Sequence, residues 1–219
     1  LAFKTSMSDK CKLYESLFGK YLKTNASIFV NSGSSADLLA ISSLVKSPFF
    51  DINKGDKVLV PAITWPTQIW SIIQAGLEPV LFDCDKETFN PNINSVPVNV
   101  LKECKCVFTT HILGSCANID FLKDVCESYN LILIEDNCES IGAKFRNKFS
   151  GTFGKFASIS MYQSHHISSV EGGFVITNDN YYADILRSMR ANGWLREVTS
   201  IKTKNKFINE NKNINQSFL

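Results

Sequence analysis

Residues 160–173 read SMYQSHHISSVEGG and separate two short, mainly apolar runs, 156–159 and 174–177. Runs of this length and composition are typical of buried β-strands, so the pattern predicts a loop between two strands. Loops held by rigid elements often carry functional residues. This loop contains two of the three histidines of the chain, and imidazole can transfer protons near neutral pH. We therefore take 160–173 as the centre of a candidate site.

Strands and helices alternate along the rest of the chain. The sequence predicts strands at 28–30, 57–60, 79–83, 106–110 and 131–134, and helices at 8–23, 36–46, 67–75, 119–129 and 181–192. Alternation at this spacing favours an α/β fold with a mixed, mostly parallel sheet flanked by helices. With 219 residues, 44% of them hydrophobic, the chain can bury the core of one large domain.

The composition argues against several kinds of partner. The chain has 23 Lys and Arg against 21 Asp and Glu, so it lacks the basic surplus that nucleic-acid binding favours. It contains no apolar run of about 18 residues, so we expect no membrane span. An odd number of cysteines, seven, favours reduced thiols and a cytoplasmic location over a disulfide framework. Cys104 and Cys106 are too closely spaced for a usual zinc knuckle, so we expect no metal site.

A Gly/Ser turn follows the first predicted strand. Gly33, Ser34 and Ser35 stand where the strand at 28–30 gives way to a helix. The free backbone N–H groups and the dipole of a helix N-terminus attract anions, and the serine hydroxyls add donors. The turn therefore predicts a phosphate site, although serine near a helix start can also be a purely structural cap.

Two further candidates follow buried strands. Trp65 lies after the strand at 57–60, at the edge where α/β sheets place their ligands, so its ring could stack on a planar cofactor. Asp136 ends the apolar strand at 131–134, where a buried carboxylate requires a partner such as a protonated ring nitrogen. For the neighbouring Glu135 we expect a capping or solvent-facing role.

These motifs together resemble the DegT/DnrJ/EryC1/StrS family, the pyridoxal phosphate (PLP) dependent sugar aminotransferases. The family has a serine, a nearby aromatic residue, a lysine five residues after the serine, and a Gly-Glu-Gly-Gly type turn. Ser160, Tyr162 and the turn at 171–173 match, whereas His165 occupies the lysine position. The pattern is therefore similar to the histidine-containing dehydratase branch, of the GDP-4-keto-6-deoxy-D-mannose 3-dehydratase type. The resemblance implies the large domain of a fold-type I PLP enzyme.

The histidine has a chemical consequence. A lysine amine can condense with the PLP aldehyde, as a transaminase cycle requires, whereas imidazole cannot. His165 would therefore leave the cofactor free as pyridoxamine 5′-phosphate (PMP) and act as the catalytic base. Lys144, Lys148 and Lys155 would be the alternative amines, but none has the family spacing.

The resemblance also assigns the cofactor contacts. It implies that the phosphate binds at Gly33, Ser34, Ser35 and Ser160, that Trp65 covers the ring, and that Asp136 pairs with the ring nitrogen. Glu139 stands where the aminotransferases often have a glutamine near the ring hydroxyl, so its role is left open. The His-x-x-Gly turn at His111 and Gly114 is expected to be architectural first and site-lining second.

The favoured hypothesis is C3 deoxygenation of a nucleotide-activated 4-keto-6-deoxyhexose, in the synthesis of deoxysugars of surface polysaccharides such as O-antigen lipopolysaccharide. The resemblance implies glutamate as amino donor and a homodimer. One alternative is a nucleotide-sugar aminotransferase, and another is a truncated, non-catalytic fragment. We expect the cofactor-binding large domain at 1–200, and a polar tail or the start of a further region at 201–219.

Overall fold

A computed structural model describes residues 8–45 and 47–210 of the chain. Its helices are α1 (Asp9–Leu22), α2 (Gly33–Ser42), α3 (Pro66–Gln74), α4 (Val98–Glu103), α5 (Ile119–Tyr129), α6 (Asn180–Arg190) and α7 (Ile201–Glu210). Its strands are β1 (Ala26–Val30), β2 (Lys57–Pro61), β3 (Glu78–Phe82), β4 (Cys104–Thr110), β5 (Ile132–Asp136), β6 (Lys144–Phe145), β7 (Lys148–Phe149), β8 (Phe156–Ser160) and β9 (Gly173–Thr177). Single 3-10 turns occur at Ile93–Ser95 and Leu195–Glu197.

Seven strands form one sheet in the order β1-β9-β8-β5-β4-β2-β3. The pairs β8–β5, β5–β4, β4–β2 and β2–β3 are parallel, whereas β9 runs antiparallel to both β1 and β8. The strands β6 and β7 form a separate short hairpin. The prediction of a mixed, mostly parallel α/β sheet is therefore confirmed.

Helices cover both faces of the sheet. On one face, Val58, Phe108 and Ile134 pack with Ala40 of α2 and Leu186 of α6. The opposite face has two clusters: Leu59, Val107 and Leu133 pack with Leu122 of α5, and Ile159 and Phe174 pack with Phe18 of α1. Parallel strands that are buried on both faces have the continuous apolar sequences from which these strands were predicted.

Most element boundaries differ from the sequence prediction by one or two residues, and the largest differences lie in α2 and after residue 200. The helix expected at 36–46 begins at Gly33, because Ser32 caps it by accepting a hydrogen bond from Ser35 N. It ends at Ser42, and position 46 lies outside the described residues. Residues Ile201–Glu210, within the range expected to be a polar tail or the start of a further region, form α7, and 211–219 lie outside the described part. Among the described helices, none combines the length and the apolar character needed to cross a membrane.

Candidate active site

The carboxyl ends of β2, β4, β5 and β8 meet at one edge of the sheet, because these strands are connected by parallel pairing. The N-terminus of α2 and the loop between β8 and β9 border the same edge. Together they enclose a cavity of about 420 Å³. The lining residues are Ser32, Gly33, Ser34, Asp37, Ile63, Thr64, Trp65, Thr67, Thr110, Ile112, Asp136, Cys138, Glu139, Ser160, Tyr162, Ser164, His165 and Glu171.

Of the eight predicted site residues, seven line this cavity, namely Gly33, Ser34, Trp65, Asp136, Glu139, Ser160 and His165. Ser35 does not. Its backbone N–H donates to the capping hydroxyl of Ser32, and its own hydroxyl accepts a second hydrogen bond from Ser32, 3.1 Å away. Ser35 therefore contributes to the cap of α2 and does not line the cavity.

The start of α2 and the end of β8 form a cradle, residues 33, 34 and 160, whose polar groups could bind an anion. Gly33 is the first residue of the helix, so its backbone N–H has no intrahelical acceptor. Ser34 Oγ donates to Thr67 Oγ1 at the start of α3, 3.1 Å away, and this contact orients the hydroxyl towards the cavity edge. Across the cradle stands Ser160, the last residue of β8. Hydroxyl and amide groups at the start of a helix dipole suit a phosphate.

Glycine at 33 and 173 allows the start of α2, the end of β8 and the start of β9 to approach closely. A Cβ on Gly33 would lie 2.7 Å from Ser160 Cβ and 3.0 Å from Cys138 Sγ. A Cβ on Gly173 would lie 2.6 Å from the carbonyl of Ser32. Any side chain at either position would push α2 away from β8 and β9, so the glycines are required by the shape of the cradle.

Asp136 presents a carboxyl group at the floor of the cavity. The residue is 3% exposed, and burial raises the pKa of its carboxyl. Its Oδ1 accepts a hydrogen bond from Cys138 N, 3.0 Å away, which favours the charged form. A buried carboxylate of this kind gains most from a cationic N–H donor, so the site fits a protonated pyridine ring.

Glu135 does not cap the next segment or face solvent, contrary to the expectation from sequence. It is fully buried, and its two oxygens accept hydrogen bonds from the backbone N–H groups of Gly151, Phe153 and Gly154, at 2.8, 2.7 and 2.6 Å. A fourth contact, of 2.8 Å, joins it to His111 Nε2. Burial acts to raise the pKa of Glu135, but these donors outweigh burial and lower it.

His111 is architectural. Its Nδ1 accepts a hydrogen bond from Ala117 N, so Nε2 carries the proton that is donated to Glu135. His111 N also donates to Asp136 O, which ties the ends of β4 and β5 together. The ring does not line the cavity, whereas the next residue, Ile112, does.

Trp65 stands at the mouth of the cavity as the residue before α3. Pro66 occupies the first turn of that helix, where its fixed φ and missing N–H are tolerated, and Trp65 keeps an extended conformation. The indole is 65% exposed, so its face is free to cover a planar ligand. Glu139 also lines the cavity, is half-buried, and accepts a hydrogen bond from Gly114 N through its backbone oxygen.

The loop from 161 to 172 places the two histidines differently. His165 is half-buried and lines the cavity, whereas His166 is exposed and does not. His165 N donates to Tyr162 O, 3.0 Å away, and the two rings lie edge to face with centroids 6.4 Å apart. The turn therefore directs the residue five positions after Ser160 towards the cavity.

None of the lysines in the described ranges lines the cavity. Lys155 Nζ forms a 2.6 Å ion pair with Asp179 and lies over the ring of Tyr182. Lys144 and Lys148 lie over the rings of Phe149 and Phe153. The three amines considered from the sequence therefore contact other groups.

Several lining residues were missed by sequence analysis. Thr64, Thr67 and Thr110 supply hydroxyls along one wall, and Thr64 Oγ1 lies 2.8 Å from Thr110 Oγ1. Thr64 and Thr110 lie at or just beyond the carboxyl ends of β2 and β4, and a position of this kind also identified Trp65. Asp37 and Cys138 were also missed, because each reads as part of a regular element or its flank.

Comparison with known proteins agrees with this geometry. Residues 3–216 match the DegT/DnrJ/EryC1/StrS aminotransferase family. A GDP-4-keto-6-deoxy-D-mannose 3-dehydratase of Escherichia coli O55:H7 is 37% identical over 208 residues, which are 92% of this chain and 54% of that protein.

Two solved structures have the same fold. A mutant GDP-4-keto-6-deoxymannose-3-dehydratase with bound GDP-perosamine superimposes with a TM-score of 0.83 at 38% identity, over 88% of this chain and 50% of the other. A second structure of that enzyme, with a trapped PLP-glutamate geminal diamine, gives a TM-score of 0.81 at 33% identity, over 92% and 55%. The chain thus spans about half the length of the relatives it matches.

Proposed function

Because the chain belongs to the DegT/DnrJ/EryC1/StrS aminotransferase family, we propose that it binds PLP or PMP and serves as a 3-dehydratase of a nucleotide-activated 4-keto-6-deoxyhexose. The observation that carries the proposal is the imidazole of His165 at the cavity, in a lining without lysine among the described residues. Dehydratases of this substrate class are among the relatives at 37% identity.

The cavity suits the cofactor at both ends. The backbone N–H groups at Gly33 and Ser34 and the hydroxyl of Ser160 would hold the phosphate. The carboxylate of Asp136 would accept a hydrogen bond from the protonated ring nitrogen. Trp65 would cover one face of the ring and exclude water from it. When bound, the cofactor would act as an electron sink for the bonds next to the sugar C4.

His165 would be the catalytic residue. Its imidazole would remove a proton from the C4′ carbon of the cofactor and deliver one to the C3 hydroxyl of the sugar, which leaves as water. A base with a pKa near the working pH can both accept and donate a proton in one cycle. Proton transfer by a placed side chain contributes roughly 10² to 10⁴ in rate. Glutamate would restore the amino form of the cofactor, in line with the PLP-glutamate adduct of the structural relative.

The described part of the chain also supports a homodimer and a cytoplasmic location. The cavity lining includes four acidic residues, Asp37, Asp136, Glu139 and Glu171, but no Lys or Arg within the described ranges. The binding of the cofactor phosphate and of a nucleoside diphosphate would therefore be strengthened by cations of a second subunit. All seven cysteines are free thiols, as expected in a reducing compartment. We expect neither nucleic acid nor membrane as a partner.

The decisive assay supplies PLP, glutamate and either GDP-4-keto-6-deoxymannose or a dTDP-4-keto-6-deoxyhexose, and identifies the sugar product by mass spectrometry. A dehydratase yields a 4-keto sugar that has lost the C3 oxygen, together with 2-oxoglutarate. A 4-amino sugar that keeps its C3 oxygen would instead identify the aminotransferase alternative. Cofactor binding without any product would favour the non-catalytic fragment, and absence of cofactor binding would overturn the proposal.

A further inference from the structure

A second carboxyl group is buried beside Asp136. Asp37, on the second turn of α2, is 2% exposed and lines the same cavity. Its Oδ1 is fully buried and has no hydrogen-bond partner among the described residues. An unpartnered polar atom at such a position is costly unless the group is neutral or a ligand pairs with it.

Two buried carboxylates that line one cavity and interact electrostatically cannot easily both be charged. Neither Asp37 nor Asp136 forms an ion pair with a Lys or Arg in the described part of the chain. The two residues differ in their hydrogen bonds. Asp136 Oδ1 accepts a hydrogen bond from the backbone N–H of Cys138, whereas Asp37 Oδ1 accepts none from the described residues. The single charge is therefore better placed on Asp136, and the proton on Asp37.

We propose that Asp37 is a positioning residue that holds a proton in the folded protein, so that the buried pair Asp37–Asp136 carries one negative charge, located on Asp136. A neutral Asp37 lines the same cavity as Asp136 without repelling its charge. The single negative charge of the pair would balance the single positive charge of a protonated ring nitrogen. The identity of that cationic partner rests on the proposed function, whereas the protonation of Asp37 does not.

The groups around the pair affect the pKa values of both carboxyls, and burial is the largest effect. Burial, followed by the charge of Asp136, raises the pKa of Asp37 well above its usual value, and only the Ser158 hydroxyl of β8 opposes this. Burial, followed by the charge of Asp136, raises the pKa of the Cys138 thiol, so that it stays neutral. His111, directly after β4, lowers the pKa of Asp136 when its ring is protonated, whereas the charge of Glu139 raises it.

The first test uses the protein without cofactor. We would compare the urea unfolding of the wild type and Asp37→Asn between pH 4 and 8, with the exposed Asp124→Asn as control for the loss of a carboxyl. A group whose pKa is raised in the folded state stabilises the fold below its unfolded pKa of about 3.9, and this contribution is lost as the pH rises towards the folded value.

The proposal therefore predicts that the folded-to-unfolded ratio of Asp37→Asn rises relative to wild type with increasing pH, by at most about tenfold per pH unit. The ratio for Asp124→Asn should not follow this course. If the profiles of Asp37→Asn and wild type run parallel over the whole range, Asp37 does not hold a proton and the inference is overturned.

The second test measures PLP affinity at neutral pH. Asp37→Asn keeps the charge of the pair and a hydrogen-bond donor, so its affinity should stay within about twofold of wild type, whereas Asp37→Ala should lose several-fold more. Asp136→Asn removes the charge and should lose tenfold or more. An Asp37→Asn variant as weak as Asp136→Asn would overturn the inference. A wild type that binds no PLP would instead overturn the proposed function, and the unfolding profiles would still decide on Asp37.

Discussion

Gly33 and Ser160 lie so close together that a Cβ on Gly33 would be 2.7 Å from Ser160 Cβ. This contact joins the start of α2 to the end of β8, two elements that are far apart in sequence. Since real Cβ atoms do not approach this closely, the contact fixes the residue type at 33 and the separation between the start of α2 and the end of β8.

The contact predicts the effect of Gly33→Ala. The added methyl group would meet Ser160 and Cys138 and displace the helix start, so we expect PLP affinity to fall at least tenfold in an absorbance titration. Gly19→Ala on α1 is a matched control, because its Cβ would find ordinary contacts of 3.5 Å or more. Equal affinities for the two variants would show that the cradle does not hold the phosphate.

Glu135 should govern stability rather than chemistry. Replacing it with Gln puts an amide NH₂ against backbone N–H donors, which we expect to lower the free energy of unfolding by about 1–3 kcal/mol. The pKa of Glu135 is lowered in the folded state, so its contribution is present above the unfolded value of about 4.3 and is lost as the pH falls. Chemical denaturation from pH 7 to 3 should therefore show a shallower acid decline in Glu135→Gln. The exposed Glu127→Gln serves as control, and equal stability of both variants at pH 7 would contradict the assignment.

Trp65 and Trp70 are both exposed, but only Trp65 lines the cavity. Aromatic stacking is worth about 0.5–1.5 kcal/mol beyond the area it buries. We therefore expect Trp65→Ala to weaken PLP binding by roughly 2- to 10-fold, and Trp70→Ala to leave it unchanged. Fluorescence quenching on PLP addition would report the same difference, and quenching that persists in Trp65→Ala but disappears in Trp70→Ala would contradict the role of Trp65.

The fold was largely predictable from local patterns, because strands buried on both faces have continuous apolar sequences and the helices between them begin and end at recognisable signals. The resemblance to the family identified His165 at the lysine position, and the turn after Ser160 brings this fifth residue to the cavity. The antiparallel insertion of β9 between β1 and β8 could not be read from the chain, because strand order is decided by contacts between distant segments.

Sequence reasoning failed where burial reversed the ordinary behaviour of a residue. Glu135 was expected to cap or to face solvent, as most glutamates do, but three backbone donors and His111 hold it inside. Asp37 attracted no notice because it lies within α2, and its relation to Asp136 appears only after the strands are assembled. The partners of Glu135 lie in an irregular loop and at His111, and the partner of Asp37 is about 100 residues away in sequence, so neither relation could be predicted from local pattern.

The most direct test of the central claim is whether position 165 reaches the reacting end of the cofactor. We would titrate the wild type, His165→Lys and His166→Lys with PLP, reduce each with borohydride, and measure covalent attachment by mass spectrometry. The account predicts that all three bind PLP and that only His165→Lys becomes labelled, at the new lysine. Binding without labelling of His165→Lys, or labelling of the wild type at another lysine, would contradict the assignment of His165 as the catalytic residue.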